Sequence, residues 1–80
     1  MKKEQIIKEA YLLSEQLLSA GFSPKVEYFG KYRNLYLLCF SGDSELVFDF
    51  SAKLGNSNTR ANDNMHKAVR KFLNEHKQAA

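Results

Sequence analysis

His66, His76 and Cys39 are the side chains of this 80-residue chain best suited to metal ligation, proton transfer or nucleophilic attack. Their spacing fits none of these. A zinc site needs three or four convergent Cys, His or carboxylate ligands, and no such cluster is spaced along the chain. A Cys–His nucleophile needs a third group to orient the base, and Cys39 stands far from both histidines in sequence with no orienting partner. Cys39 lies inside the apolar run "NLYLLCFS" and reads as a small buried hydrophobe. Gly21, Gly30, Gly42 and Gly55 are isolated, so no glycine loop is present to cradle a phosphate. The expectation is a protein that is not an enzyme and takes no cofactor and no metal.

What remains is electrostatic. The net charge is +3, and its distribution is uneven. Residues 1 to 23 balance, as do residues 24 to 55. Residues 56 to 80 hold Arg60, Lys67, Arg70, Lys71 and Lys77 against only Asp63 and Glu75. An excess confined to one segment points to an anionic partner more strongly than the total does. Lysine and arginine neutralise phosphates with little geometric demand, and each contact adds salt-dependent affinity. Asn56, Asn58, Asn62 and Asn64, beside these cations, add donors for phosphate or ribose, with Asn58 or Thr59 as helix N-cap.

The elements that position these residues follow from periodicity. Ile6, Ile7, Ala10, Tyr11, Leu13, Leu17 and Leu18 fall within one helical arc, which predicts an amphipathic helix over residues 3–20. Gly21 ends it and Pro24 prevents a restart. The period then changes to short runs rich in β-branched and aromatic residues, which predict strands over 25–30, 34–41 and 45–51. "SGDS" supplies Gly42 and Asp43 for the positive φ of a hairpin turn. Residues 52–58 read as a loop and 59–77 as a second helix, with Ala61, Met65, Ala68, Val69, Phe72, Leu73 and His76 on its apolar side. Eighty residues make a single domain, and a 44% hydrophobic content with four Tyr and six Phe requires a packed core. The fold class is α+β, ordered α-β-β-β-α, with a three-stranded antiparallel sheet and two helices packed on one face.

The middle strand is apolar on both faces, with Leu35, Leu37 and Cys39 on one and Tyr36, Leu38 and Phe40 on the other. Two helices on one face leave the second exposed, so Tyr36, Leu38 and Phe40 form a candidate partner interface or homodimer surface. Leu12, outside the apolar arc of the first helix, is a further candidate for the same interface. "MKKEQIIKEAYLLSEQLL" is interrupted by Lys8, Glu9, Glu15 and Gln16, which excludes a signal-peptide core or a membrane span. With a single cysteine no internal disulfide forms, and a cytoplasmic setting is expected.

"LLSAGFSPKVEYFGKYRNLYLLCFSG", Leu17 to Gly42, resembles the HicA pattern of a helix ending in Gly plus an aromatic, followed by a strand and a glycine-containing turn. "NSNTRANDNMHKAVRKFL" is similar to endings of small phage and prophage proteins, and the element order is that of the double-stranded-RNA-binding domain. HicA ribonucleases carry a histidine just after that glycine; here Lys31, Tyr32 and Arg33 follow Gly30, so the general acid–base residue is missing. The double-stranded-RNA-binding arrangement implies contacts from the first helix, the loop between the first two strands and the start of the last helix. The implied nucleic-acid-binding set is therefore Lys31, Tyr32, Arg33, Arg60, Lys67, Arg70 and Lys71. The expectation is a non-catalytic protein of phage or mobile-element type that binds duplex RNA or DNA. The alternative is a small inhibitor, anti-CRISPR-like, that binds a host protein; a HicA-like ribonuclease ranks third.

Overall fold

The computed structural model describes residues 1–76. The chain forms α1 (Lys3–Ser19), β1 (Ser23–Phe29), β2 (Asn34–Phe40), β3 (Leu46–Lys53) and α2 (Thr59–Glu75). The strands make one antiparallel sheet in the order β1-β2-β3, and both helices pack on the same face of it. The α+β class and the α-β-β-β-α order are as the periodicity predicts. Lys77, assigned to the last helix from the sequence, lies outside the described residues.

α1 buries Ile6, Ala10, Leu13 and Leu17, a narrow stripe spaced one turn apart. Tyr11 and Leu18, which the helix period assigns to the buried arc, are exposed. The reason is the width of the sheet: three strands give a helix only a narrow seam, so positions more than about 100° from Ile6 reach past it. The helix ends at Gly21, whose φ of 98° is open to glycine and strained for other residues. Gly21 N–H donates to the Leu18 carbonyl and Phe22 N–H to that of Leu17, the paired bonds of a Schellman stop. That turn delivers Phe22 against Phe72 of α2, with ring centroids 5.0 Å apart.

β2 is the axis of the core. Leu35, Leu37 and Cys39 are fully buried beneath the helices, packed with Ile6, Leu17, Met65 and Val69. The register sets Val26, Leu37 and Phe50 in one row of the covered face, and Lys25, Leu38 and Asp49 in one row of the open face. Two strand boundaries differ by two residues from those the sequence predicts, and three others by one. β1 starts at Ser23 because an edge strand tolerates Pro24, which has no N–H to give. β3 runs on to Lys53 because Ala52 continues the covered face opposite Leu35. In the β2–β3 turn the residue with positive φ is Ser44, at 63°, not Gly42 or Asp43.

Five elements that alternate in direction make α1 and α2 run the same way. Both helices therefore start at one end of the molecule, together with the β1–β2 loop and the exit of β3. The other end holds the β2–β3 turn and the two helix C-termini. Asn58 fixes this arrangement: its side-chain NH2 donates to the Met1 carbonyl at 3.1 Å, joining the chain ahead of α1 to the start of α2.

Candidate nucleic-acid interface

The end shared by the two helix starts is strongly cationic. Gly30 to Arg33 form the β1–β2 loop, held by Tyr32 N–H to the Phe29 carbonyl and Arg33 N–H to the Gly30 carbonyl. Arg33 has φ 55°, a left-handed conformation that costs a side-chain-bearing residue about 1 kcal/mol. Its carbonyl accepts from Leu54 N–H at 2.7 Å, which ties the loop to the segment leading into α2. Lys31, Tyr32 and Arg33 are all exposed, and the Lys31 ammonium lies 5.4 Å from the Tyr32 ring centre. Lys53 closes β3 at the same end, Arg60 lies in the first turn of α2, and Lys2 and Lys3 open α1.

Six of the twelve Lys and Arg residues thus gather at one pole: Lys2, Lys3, Lys31, Arg33, Lys53 and Arg60. Three of them, Lys2, Lys3 and Arg60, stand at helix N-termini. That placement works against the helix dipole, whose positive end favours acidic residues by about 0.3–1 kcal/mol each. Glu4 is the one acidic residue in the first turn of α1, and the first turn of α2 has none. A bound anion would relieve this local conflict, since unpaired helix N–H groups and cations there act together.

The asparagines divide by burial. Asn58 is 1% exposed and does not cap α2 with its side chain; it turns back, accepting from Gly55 N–H at 2.7 Å and donating to the Gly55 and Met1 carbonyls. Asn62 is 8% exposed, and its side-chain oxygen is buried without a protein donor. The Asn58 amide is used up in these internal bonds, which corrects its assignment as a phosphate or ribose donor. Asn56 and Asn64 are exposed.

Lys67, Arg70 and Lys71 are exposed on α2 but stand apart from the pole. They begin seven residues beyond Arg60, about 10 Å along the helix axis. Arg70 overhangs the groove between the helices, and Lys71 leans toward β3 beside Val47 and Phe48. The groove, about 260 Å³, is lined by Leu13, Gln16, His66, Val69, Leu73 and Asn74 besides Arg70. His66 sits on its rim, 2.9 Å from the Glu9 carboxylate of α1. Arg60, Lys67, Arg70 and Lys71 therefore form a ridge about 16 Å long that starts at the pole.

The candidate partner residues do not make one surface. Tyr36, Leu38 and Phe40 lie on the open sheet face, half-buried among their neighbours, with Phe29 against Tyr36 at 5.6 Å. Leu12 is 45% exposed on the outer side of α1, with the helix and sheet layers between it and that face. Cys39 faces the core, where desolvation pushes its thiol above the ordinary value and keeps it protonated. His76 packs over Phe72, with ring centres 4.2 Å apart, and its Nδ1 lies 2.9 Å from the Phe72 carbonyl. Among the described residues, no three His, Cys, Asp or Glu side chains converge to hold a metal ion, and no helix is long and apolar enough to cross a membrane.

Comparisons with protein-family models, with curated proteins and with solved structures gave no match. The site stands on its own geometry. Lys2, Lys3 and Lys53 are not apparent from sequence because charge summed over residues 1 to 23 balances, while Glu9 and Glu15 lie farther down α1 than the two lysines. The signal that could have found them is the odd number of strands between the two helices, which makes the helices parallel.

Proposed function

We propose that this protein binds nucleic acid without catalysing a reaction, with its cationic pole and the adjoining ridge of α2 set against the phosphates of a duplex. The observation that carries this reading is the meeting of Lys31, Arg33 and Arg60 with Lys2, Lys3 and Lys53 where both helices begin. Three of these cations oppose the helix dipoles, so helix stability does not account for their placement. The bland explanation for a basic helix, that Lys and Arg favour its C-terminus, is weakened for the ridge too, because the last turn of α2 has no basic residue. A ridge of about 16 Å runs beside roughly five phosphates of one strand at ~3.4 Å each. The resemblance to HicA-type, double-stranded-RNA-binding and phage proteins supports the same class, acting in the cytoplasm where Cys39 stays reduced.

The test is a mobility shift of duplex RNA and duplex DNA at low salt, repeated with Lys67, Arg70 and Lys71 changed to Glu. Retardation of duplex by the intact protein and none by the variant supports the reading, and no retardation of either duplex sinks it. RNA degradation that disappears on Tyr32→Phe would replace it with a ribonuclease.

A second reading, an inhibitor that binds a host defence protein, is favoured by one observation. Tyr11, Leu12 and Leu18 expose apolar area on α1 that neither the core nor the sheet covers. A protein complex that persists in the Glu variants but fails to form on Leu12→Asp supports that reading over the first.

A further inference from the structure

The open face of the sheet has four rows of three residues, one from each strand. The rows run Ser23–Phe40–Leu46, Lys25–Leu38–Asp49, Glu27–Tyr36–Ser51 and Phe29–Asn34–Lys53. Three of the four residues in its middle column, Phe40, Leu38 and Tyr36, and two corners are apolar, with Phe29 48% and Leu46 49% exposed; Asn34 ends the column, and the face's charges are two of each sign. A neutral, apolar-centred face is a poor surface for phosphate and a suitable one for an interface that matches itself.

We infer that this face pairs with the same face of a second copy about a two-fold axis perpendicular to the strands. A half-turn centred between Leu38 and Tyr36 exchanges the two middle rows, so Leu38 meets the second copy's Tyr36 and Lys25 meets the second copy's Glu27. Lys25 and Glu27 already form an ion pair at 3.3 Å within one chain, so the dimer edge closes into a ring of alternating charge. Asp49 meets Ser51, and no like charges are set opposite each other. A two-fold parallel to β2 also avoids like charges on the face, by setting Lys25 against Asp49. It fails at the ends, because it lays the two cationic poles side by side. The perpendicular axis sets each pole beside the other copy's β2–β3 turn, which carries Asp43 and Glu45 near the Glu75 end of α2. Opposed end charges stabilise that orientation, while like poles within a Debye length repel. The helices stay on the outside, and the two α2 ridges remain free.

Twelve residues a side is below the 20–30 of a standard interface, so the dimer is weak and reversible, with a dissociation constant on the order of micromolar. Sedimentation equilibrium from about 1 µM to 1 mM should show a monomer–dimer equilibrium. Leu38→Glu should abolish the dimer while circular dichroism shows unchanged folding, since Leu38 is outside the core. Lys25→Glu and Glu27→Lys should each weaken the dimer about tenfold, and the two together should restore it to within about threefold. A monomer at every concentration, or a dimer indifferent to Leu38→Glu, overturns the inference. Rescue of Lys25→Glu by Asp49→Lys in place of Glu27→Lys overturns the perpendicular axis.

Discussion

The two ends of this molecule are made from the same parts, a tight turn of the sheet and the ends of two helices, yet among the described residues they carry opposite charge. At one end the β1–β2 loop, the β3 exit and both helix starts bring six cations together with Glu4 and Asp63. At the other, the β2–β3 turn carries Asp43 and Glu45, and α2 closes on Glu75. Each turn holds one residue at positive φ, Arg33 at the first and Ser44 at the second. Helix dipoles would favour the reverse assignment, acids at the starts and cations at the ends. A charge pattern that opposes local stability is what the proposed phosphate contacts would account for, because sequences are otherwise consistent from level to level.

The largest effect should come from reversing charge at each end in turn. Lys31→Glu, Arg33→Glu and Arg60→Glu together should weaken duplex binding by about a hundredfold or more at low salt, read by fluorescence anisotropy. Asp43→Lys with Glu45→Lys should strengthen it by no more than about threefold, since those side chains lie beyond a Debye length from the pole. Equal losses at the two ends would erase the distinction between them.

The next effect concerns what holds the cationic end together. Asn58→Ala removes three hydrogen bonds and leaves the Gly55 N–H and two carbonyls unpaired at a buried position. It should destabilise the fold by about 2 kcal/mol. For a domain of this size that lowers the melting temperature by about 10 °C in a calorimetric scan.

Smaller changes separate the two turns. Ser44→Gly and Arg33→Gly should each raise stability by up to about 1 kcal/mol in urea unfolding, because both relieve a left-handed backbone. Only Arg33→Gly should also weaken duplex binding, by several-fold. The smallest effect is on the free protein: raising salt from about 20 mM to 200 mM should increase its melting temperature by a few degrees, as repulsion within the pole is screened. The triple Glu variant should lose most of that increase.

The parts of this fold that were legible in the sequence are those fixed by local pattern. The helix period around Ile6 and Leu17, the stop at Gly21 and the strand period of β2 depend on neighbours along the chain. What was not legible depends on neighbours in space. Tyr11 and Leu18 match the helix period and are exposed because the sheet is narrow. Asn58 has the side chain of an N-cap and acts as a tie to Met1, a partner 57 residues away. Leu12 and Tyr36 are alike in being apolar out of turn, and the layers of the fold set them on opposite sides. The ridge of Arg60, Lys67, Arg70 and Lys71 was visible as one helix face. The pole was not, because it needs Lys2, Lys3 and Lys53 to be brought to the β1–β2 loop by topology.

The direct test is the salt dependence of duplex binding by the intact protein and by the Lys31, Arg33 and Arg60 triple Glu variant. Plotted as log affinity against log salt, the intact protein should give a straight line with a slope of about −4 or steeper. The variant's slope should be shallower by about three, one for each phosphate that its side chains no longer neutralise. Duplex binding with a slope near zero, or a slope that is the same in the two proteins, would contradict a cationic pole that works by neutralising phosphates.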